Sequence, residues 1–121
     1  MDSKGLHIYV VDDNRDTADS LAILLGRMGH EATPCYGGAE LLEMVAQAKP
    51  DCVLLDIAMR GMDGLELTRE LRARYGDDVV LIAITGAPED SDAVKSTFHL
   101  VDHYFVKPLD VQRLQTILLV G

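Results

Sequence analysis

The chain has 121 residues, 48% of them hydrophobic, which suits one compact domain with a real core and argues against disorder. A formal net charge of −9 argues against a nucleic-acid binder, which would present a basic face. No apolar run approaches the roughly 18 to 20 residues of a membrane span, and the start MDSKGLHIYVV lacks the pattern of a signal peptide, so a cytoplasmic protein is expected, with residues 1–121 as a single domain.

In chain order, LHIYVV (6–11) predicts a first strand that runs straight into Asp12 and Asp13. Leu21, Leu24, Leu25 and Met28 stand at i, i+3, i+4 and i+7, which predicts a helix closed by Gly29. EATPCY (31–36) predicts a second strand, the glycines at 37–38 a turn, and Leu41, Met44, Val45 and Ala48 a second helix before Pro50. CVLLD (52–56) predicts a third strand ending in Asp56. After GMDG (61–64), Leu67, Leu71 and Tyr75 predict a third helix, stopped by GDD (76–78). VVLIAIT (79–85) predicts a fourth strand ending in Thr85. Residues 88–98 carry a weaker helical pattern, with Val94, Thr97 and Phe98 on one side. HYFV (103–106) predicts a fifth strand followed by Lys107 and Pro108, and Val111, Leu114, Ile117 and Leu118 predict a last helix.

Several of the strand runs are short, β-branched and almost unbroken, as in strands covered on both faces. Their alternation with helices implies a parallel sheet between two helical layers, and right-handed crossovers make this a doubly wound α/β fold. Cys35 and Cys52 have no metal-type spacing and lie beside apolar residues, so buried thiols are expected. The four histidines, His7, His30, His99 and His103, show no paired ligand spacing.

Ligands of such folds bind at the carboxyl ends of the strands. There the chain places Asp12 and Asp13 after the first strand, Asp56 on the third, Thr85 on the fourth and Lys107 after the fifth. Each alone has an ordinary explanation: a helix cap, which Asn14 or Asp16 could equally supply, a turn aspartate, a strand-end threonine, a surface lysine. Together they describe a site. Three crowded carboxylates repel one another, and a divalent cation relieves that. Mg2+ takes one or two carboxylates, waters and phosphate oxygens. Lys107 and Thr85 are then a point charge and a hydroxyl donor for an oxyanion. A carboxylate beside both metal and lysine can attack phosphorus, and Asp56, on the central strand, is the candidate.

With these residues in view, the chain resembles the receiver domain of two-component response regulators, of the chemotaxis-regulator type. The matching segments are VVDDN (10–14), LLDIAMRGMDG (54–64), AITG (83–86) and YFVKP (104–108). The resemblance implies a flavodoxin-like (βα)5 three-layer sandwich with strand order 2-1-3-4-5. It implies a phosphorylation-dependent signalling switch rather than an enzyme with an external substrate. Asp56 would accept a phosphoryl group from a phosphohistidine on a histidine kinase or histidine phosphotransfer protein. Asp13 and Asp56 would hold Mg2+ directly, with the backbone carbonyl of Ala58, and Asp12 through water. Lys107 would pair with the carboxylate and phosphoryl oxygens. Thr85 would move to the phosphoryl group and Tyr104 would turn inward with it, altering the surface made by the helix over 88–98, the fifth strand and the last helix.

Some positions depart from the family pattern. Arg60 stands where proline is usual, and His99-Leu100 replace the usual Ala-Gly before the fifth strand, where glycine would favour a left-handed helix end. Ala58 and Ala87 occupy the positions that tune phosphate lifetime, and neither side chain can hydrogen-bond an attacking water, so slow to moderate autodephosphorylation is expected. The alternatives are a pseudo-receiver that docks partners without being phosphorylated, a haloacid-dehalogenase-type phosphatase and a flavodoxin. The second would need Asp-x-Asp, not the adjacent pair. The third would need a hydroxyl- and glycine-rich phosphate loop where DDNRD stands. The downstream partner is left open, as is the setting: a single-domain regulator or a receiver excised from a hybrid kinase.

Overall fold

A computed structural model describes residues 5–57, 64–86 and 99–118. The elements are β1 (His7–Val11), α1 (Arg15–Arg27), β2 (Glu31–Cys35), α2 (Gly38–Gln47), β3 (Cys52–Asp56), α3 (Gly64–Tyr75), β4 (Val80–Thr85), β5 (His103–Val106) and α4 (Val111–Leu118). The helix expected over 88–98 and the positions Ala58, Arg60 and Ala87 lie outside the described residues.

The five strands form one sheet in the order β2-β1-β3-β4-β5, every pair parallel, which is the flavodoxin-like order expected from the resemblance. Because strand side chains alternate, each central strand feeds two cores. Ile8 and Val10 of β1, Leu54 of β3, Ile82 and Ile84 of β4 and Phe105 of β5 pack under α1 (Ala18, Ala22, Leu25) and α4 (Leu114, Leu118). The intervening residues Tyr9, Val11, Val53, Leu55 and Leu81 pack on the other face against Leu41 and Val45 of α2 and Leu67 and Leu71 of α3. β3 is buried at all five positions, which explains its unbroken apolar reading. Pro34 lies in β2, an edge strand, where its missing N–H costs no ladder bond on the open side.

Local chemistry sets the helix ends near the site. Asn14, extended at φ −83° and ψ 107°, caps α1 by accepting the Thr17 N–H through its side chain, a bond of 3.1 Å; such a cap is worth about 1 kcal/mol. Gly29, at φ 97°, lets the chain leave α1 in the left-handed region. At the start of α3, Gly64 donates its N–H to the Ile57 carbonyl at 2.9 Å. A Cβ on Gly64 would collide with the Ile57 backbone, so glycine is required where the chain closes back on the residue after Asp56.

Candidate functional site

The two-residue period of the strands places the site. Ile8 and Val10 face α1, so Asp12 continues that row; Cys52 and Leu54 face the same side, so Asp56 does too. In the β1–β3 register Ile8 pairs with Cys52 and Val10 with Leu54, and the next step brings Asp12 level with Asp56. Phe105 faces α1 as well, and two residues on stands Lys107. Three side chains from three strands therefore leave the sheet on one side of its carboxyl edge. Two backbone bonds hold the rows there: Asp12 N–H to the Cys35 carbonyl at 3.0 Å, and Lys107 N–H to the Thr85 carbonyl at 2.8 Å. The Lys107–Pro108 peptide is cis.

Lys107 Nζ lies 3.2 Å from Asp56 Oδ2 and 3.7 Å from Asp12 Oδ2. Asp12 is 5% exposed and Asp56 9%. Asp12 Oδ1 accepts the Asn14 N–H at 2.9 Å. Burial pushes the Asp12 carboxyl above the usual carboxylate range; the Asn14 N–H and the Lys107 charge offset part of this, and the Asp56 charge adds to it. Burial favours neutral Lys107, but the Asp56 and Asp12 carboxylates outweigh that and hold its pKa above the ordinary lysine value. Asp13, one residue out of phase with Asp12, is half-buried.

The donor set fits a hard divalent cation. Asp12 and Asp56 offer only oxygen, sit out of bulk water, and set two negative charges against the single charge of Lys107. Among the described residues no group of three or more His, Cys, Asp or Glu side chains forms an all-protein metal cage. Mg2+ needs none, because it keeps several waters and takes one or two carboxylates. The expected Ala58 carbonyl ligand lies outside the described residues.

Thr85 and Tyr104 belong to the opposite face. Thr85 is out of phase with Ile82 and Ile84, and Tyr104 with Phe105. Tyr104 pairs in register with Ala83, two residues before Thr85, so a small side chain lies beside the ring. Thr85 is fully buried, and the Tyr104 hydroxyl oxygen is buried too.

Two assemblies have no counterpart in the sequence reading. At the same end of the sheet, the Arg15 guanidinium lies 4.1 Å over the Tyr36 ring, and the Tyr36 hydroxyl donates to Asp19 Oδ1 at 2.5 Å. Arg15 and Asp19 stand four apart on α1, a helical spacing that was visible; their meeting with Tyr36 required the fold. The second is a tether at the entry to β5. Arg72 donates through Nε to the Leu100 carbonyl at 2.6 Å and through Nη2 to Asp102 Oδ2 at 2.8 Å, while Asp102 Oδ2 also accepts the Leu81 N–H at 2.9 Å. This guanidinium fixes the backbone at the unusual His99-Leu100 turn. Burial alone would raise the Asp102 pKa, but the Leu81 N–H and Arg72 hold it below the usual range. Both cysteines are free and buried, and burial pushes each thiol up to about 12, so neither is a reactive thiolate. Among the described residues no helix is long and apolar enough to cross a membrane.

The comparisons with known proteins agree with this fold. A family model, response regulator receiver domain, matches residues 8–119. Response regulator MprA of Mycobacterium ulcerans is 36% identical over 110 residues, which cover 91% of this chain and 47% of that protein; the chain thus spans about half the length of the curated relatives it matches. Among solved structures, a CheY-like response regulator receiver domain from Methylobacillus flagellatus superposes with a TM-score of 0.82 at 27% identity, covering 93% of this chain and 94% of that one. TrrA of Thermotoga maritima, solved in complex with Mg2+ and BeF, superposes with a TM-score of 0.79 at 32% identity, covering 91% and 93%. The chain belongs to the response regulator receiver domain family of two-component signalling.

Proposed function

We propose that Asp56 is the phosphoryl acceptor of a Mg2+-dependent switch. The observation that carries this is the pair of contacts from Lys107 Nζ to two buried carboxylates, Asp56 and Asp12, at the carboxyl edge of a parallel sheet. A carboxylate oxygen of Asp56 attacks the phosphorus of a phosphohistidine on a histidine kinase or phosphotransfer protein. The new P–O bond forms as the P–N bond breaks, and the leaving imidazole nitrogen keeps the electron pair and takes up a proton. Lys107 holds Asp56 in place and offers its charge to the oxygens that become more negative. Asp12, Asp13, Asp56 and the Ala58 carbonyl are the residues that would hold Mg2+, which when bound neutralises charge on the carboxylates and on the transferred group.

The phosphoryl group brings roughly two negative charges and three strong acceptor oxygens. Thr85, at the end of the neighbouring strand, meets the phosphoryl oxygens only in that state. This differential contact is what biases a two-state surface, with Tyr104 on the same face as the reporter. Tyr104 turning with Thr85 is part of the proposal.

The test is exposure to beryllofluoride or acetyl phosphate with Mg2+, read by amide NMR shifts and by mass spectrometry. Wild type should respond around Thr85 and Tyr104 and carry a labile phosphate, and Asp56→Asn should do neither. A wild-type chain that stays silent would support a docking module instead.

A further inference from the structure

The carboxylate site opens into a cavity of about 480 Å³ lined by α1, the sheet and the segment after β5. This is within the range of small-molecule pockets, roughly 300 to 1,000 Å³. Leu54 and Ile84 of the sheet line it, as do Leu21 and Leu24 of α1 and Leu109 beyond Lys107. The polar lining is one-sided in charge: Asp12, Asp56 and Asp16 set three carboxylates against the single ammonium of Lys107. Thr17 and Ser20 of α1 add hydroxyls.

We infer that this cavity binds an amphiphilic organic amine, with the ammonium among Asp16, Asp12 and Asp56 and the apolar body between Leu21, Leu24 and Leu109. The charge balance selects the class. An anionic ligand meets a net negative lining, and a small polar cation leaves the leucine surfaces wet. Only a cation carrying an apolar body matches both. The inference goes beyond the phosphoryl switch and stands without it, because binding needs no phosphorylation. It has one consequence for the switch: the ammonium and a divalent cation seek the same carboxylates, so occupancy by the amine weakens Mg2+ binding by mass action.

The probe is 4-phenylbutylamine, titrated into metal-free protein and followed by amide NMR. Saturable binding is expected, with shifts concentrated on α1 and residues 107–109. Affinity should exceed that of 4-phenylbutyrate, which keeps the body and reverses the charge, and of n-butylamine, which keeps the charge and lacks the ring, by about tenfold, the effect of roughly one favourable contact of each kind. Leu24→Trp fills the cavity and should abolish amine binding while Mg2+ affinity stays at the wild-type level. If that variant does not fold, Asp16→Asn decides: it should weaken the amine and leave neutral 4-phenylbutanol unchanged. Equal binding of amine and acid, shifts scattered over the surface, or undiminished affinity in Leu24→Trp overturns the inference. Because no phosphodonor is present, failure here and failure of phosphate uptake on Asp56 are separate results.

Discussion

Asp12 stands level with Asp56 one step beyond the last paired residues of β1 and β3, and the two buried carboxylates share the Lys107 ammonium at 3.7 and 3.2 Å. The folded state raises the Asp12 pKa through burial and the Asp56 charge. The folded protein therefore keeps that proton to higher pH than the unfolded chain does. Its stabilising effect is complete below the unfolded carboxylate pKa and is lost as pH rises through the raised folded value. At neutral pH an ionised Asp12 strains the metal-free fold. Asp12→Asn, whose amide oxygen can still accept the Asn14 N–H, should raise the metal-free Tm at pH 7 by a few degrees, about 4 °C per kcal/mol for a chain of this length. The difference from wild type should vanish in thermal melts run below the carboxylate range.

Added Mg2+ should reverse the order. At about ten times its Kd, a ligand of the folded state alone stabilises by about 1.4 kcal/mol. Calorimetry should show this increment in wild type, its loss on chelation, and little of it in Asp56→Asn. An equal increment in Asp56→Asn would remove Asp56 from the metal site.

Arg72 ties the end of α3 to the turn before β5 through the Leu100 carbonyl and Asp102. Arg72→Met should cost about 2 kcal/mol in urea unfolding, the usual scale for charge-assisted bonds lost from a mostly buried group. Arg72→Lys should recover little, because one ammonium cannot reach the points held by a planar fork. The pH dependence should change as well. Asp102 is held below the usual range, so its contribution is present above the unfolded carboxylate pKa and lost as pH falls through the lowered one. That acid-range loss should be shallower in Arg72→Met.

Gly64→Ala pushes a methyl group into the Ile57 backbone, which cannot move aside as a flexible side chain would. A loss of roughly 2 kcal/mol or more is expected in denaturant melts, on the scale of overpacking. Because Ile57 follows Asp56 directly, Mg2+ affinity should fall with it.

Tyr104 lies on the sheet face opposite Asp12, Asp56 and Lys107. Tyr104→Phe should leave Mg2+ affinity within about twofold of wild type, since the ring and the carboxylates lie on opposite faces of the sheet. Isothermal titration checks this, and a large loss would show that the two faces are coupled even without phosphate.

Much of this was legible in the sequence because burial on both faces leaves an unmistakable trace. CVLLD and VVLIAIT read as strands with boundaries within a residue of the observed β3 and β4. The start of α1 was harder. Its apolar spacing begins at Leu21, but the helix begins at Arg15, because its first turn is largely solvated and announced only by the Asn14 cap. The acid cluster was legible as a set of strand ends. Its division between two faces was not, since that depends on the register of β1 on β3 and of β4 on β5. The Arg72–Asp102 tether joins residues 30 apart in sequence and left no local trace.

The opposed phases of Asp56 and Thr85 have a wider consequence. The sheet acts as a bulkhead, with Asp12, Asp56 and Lys107 on one side and Tyr104 on the other. At its rim the two sides meet, where Asp56 and Thr85 end adjacent strands. A design that rebuilds the Tyr104 side should therefore leave the carboxylate side untouched, provided that rim is preserved.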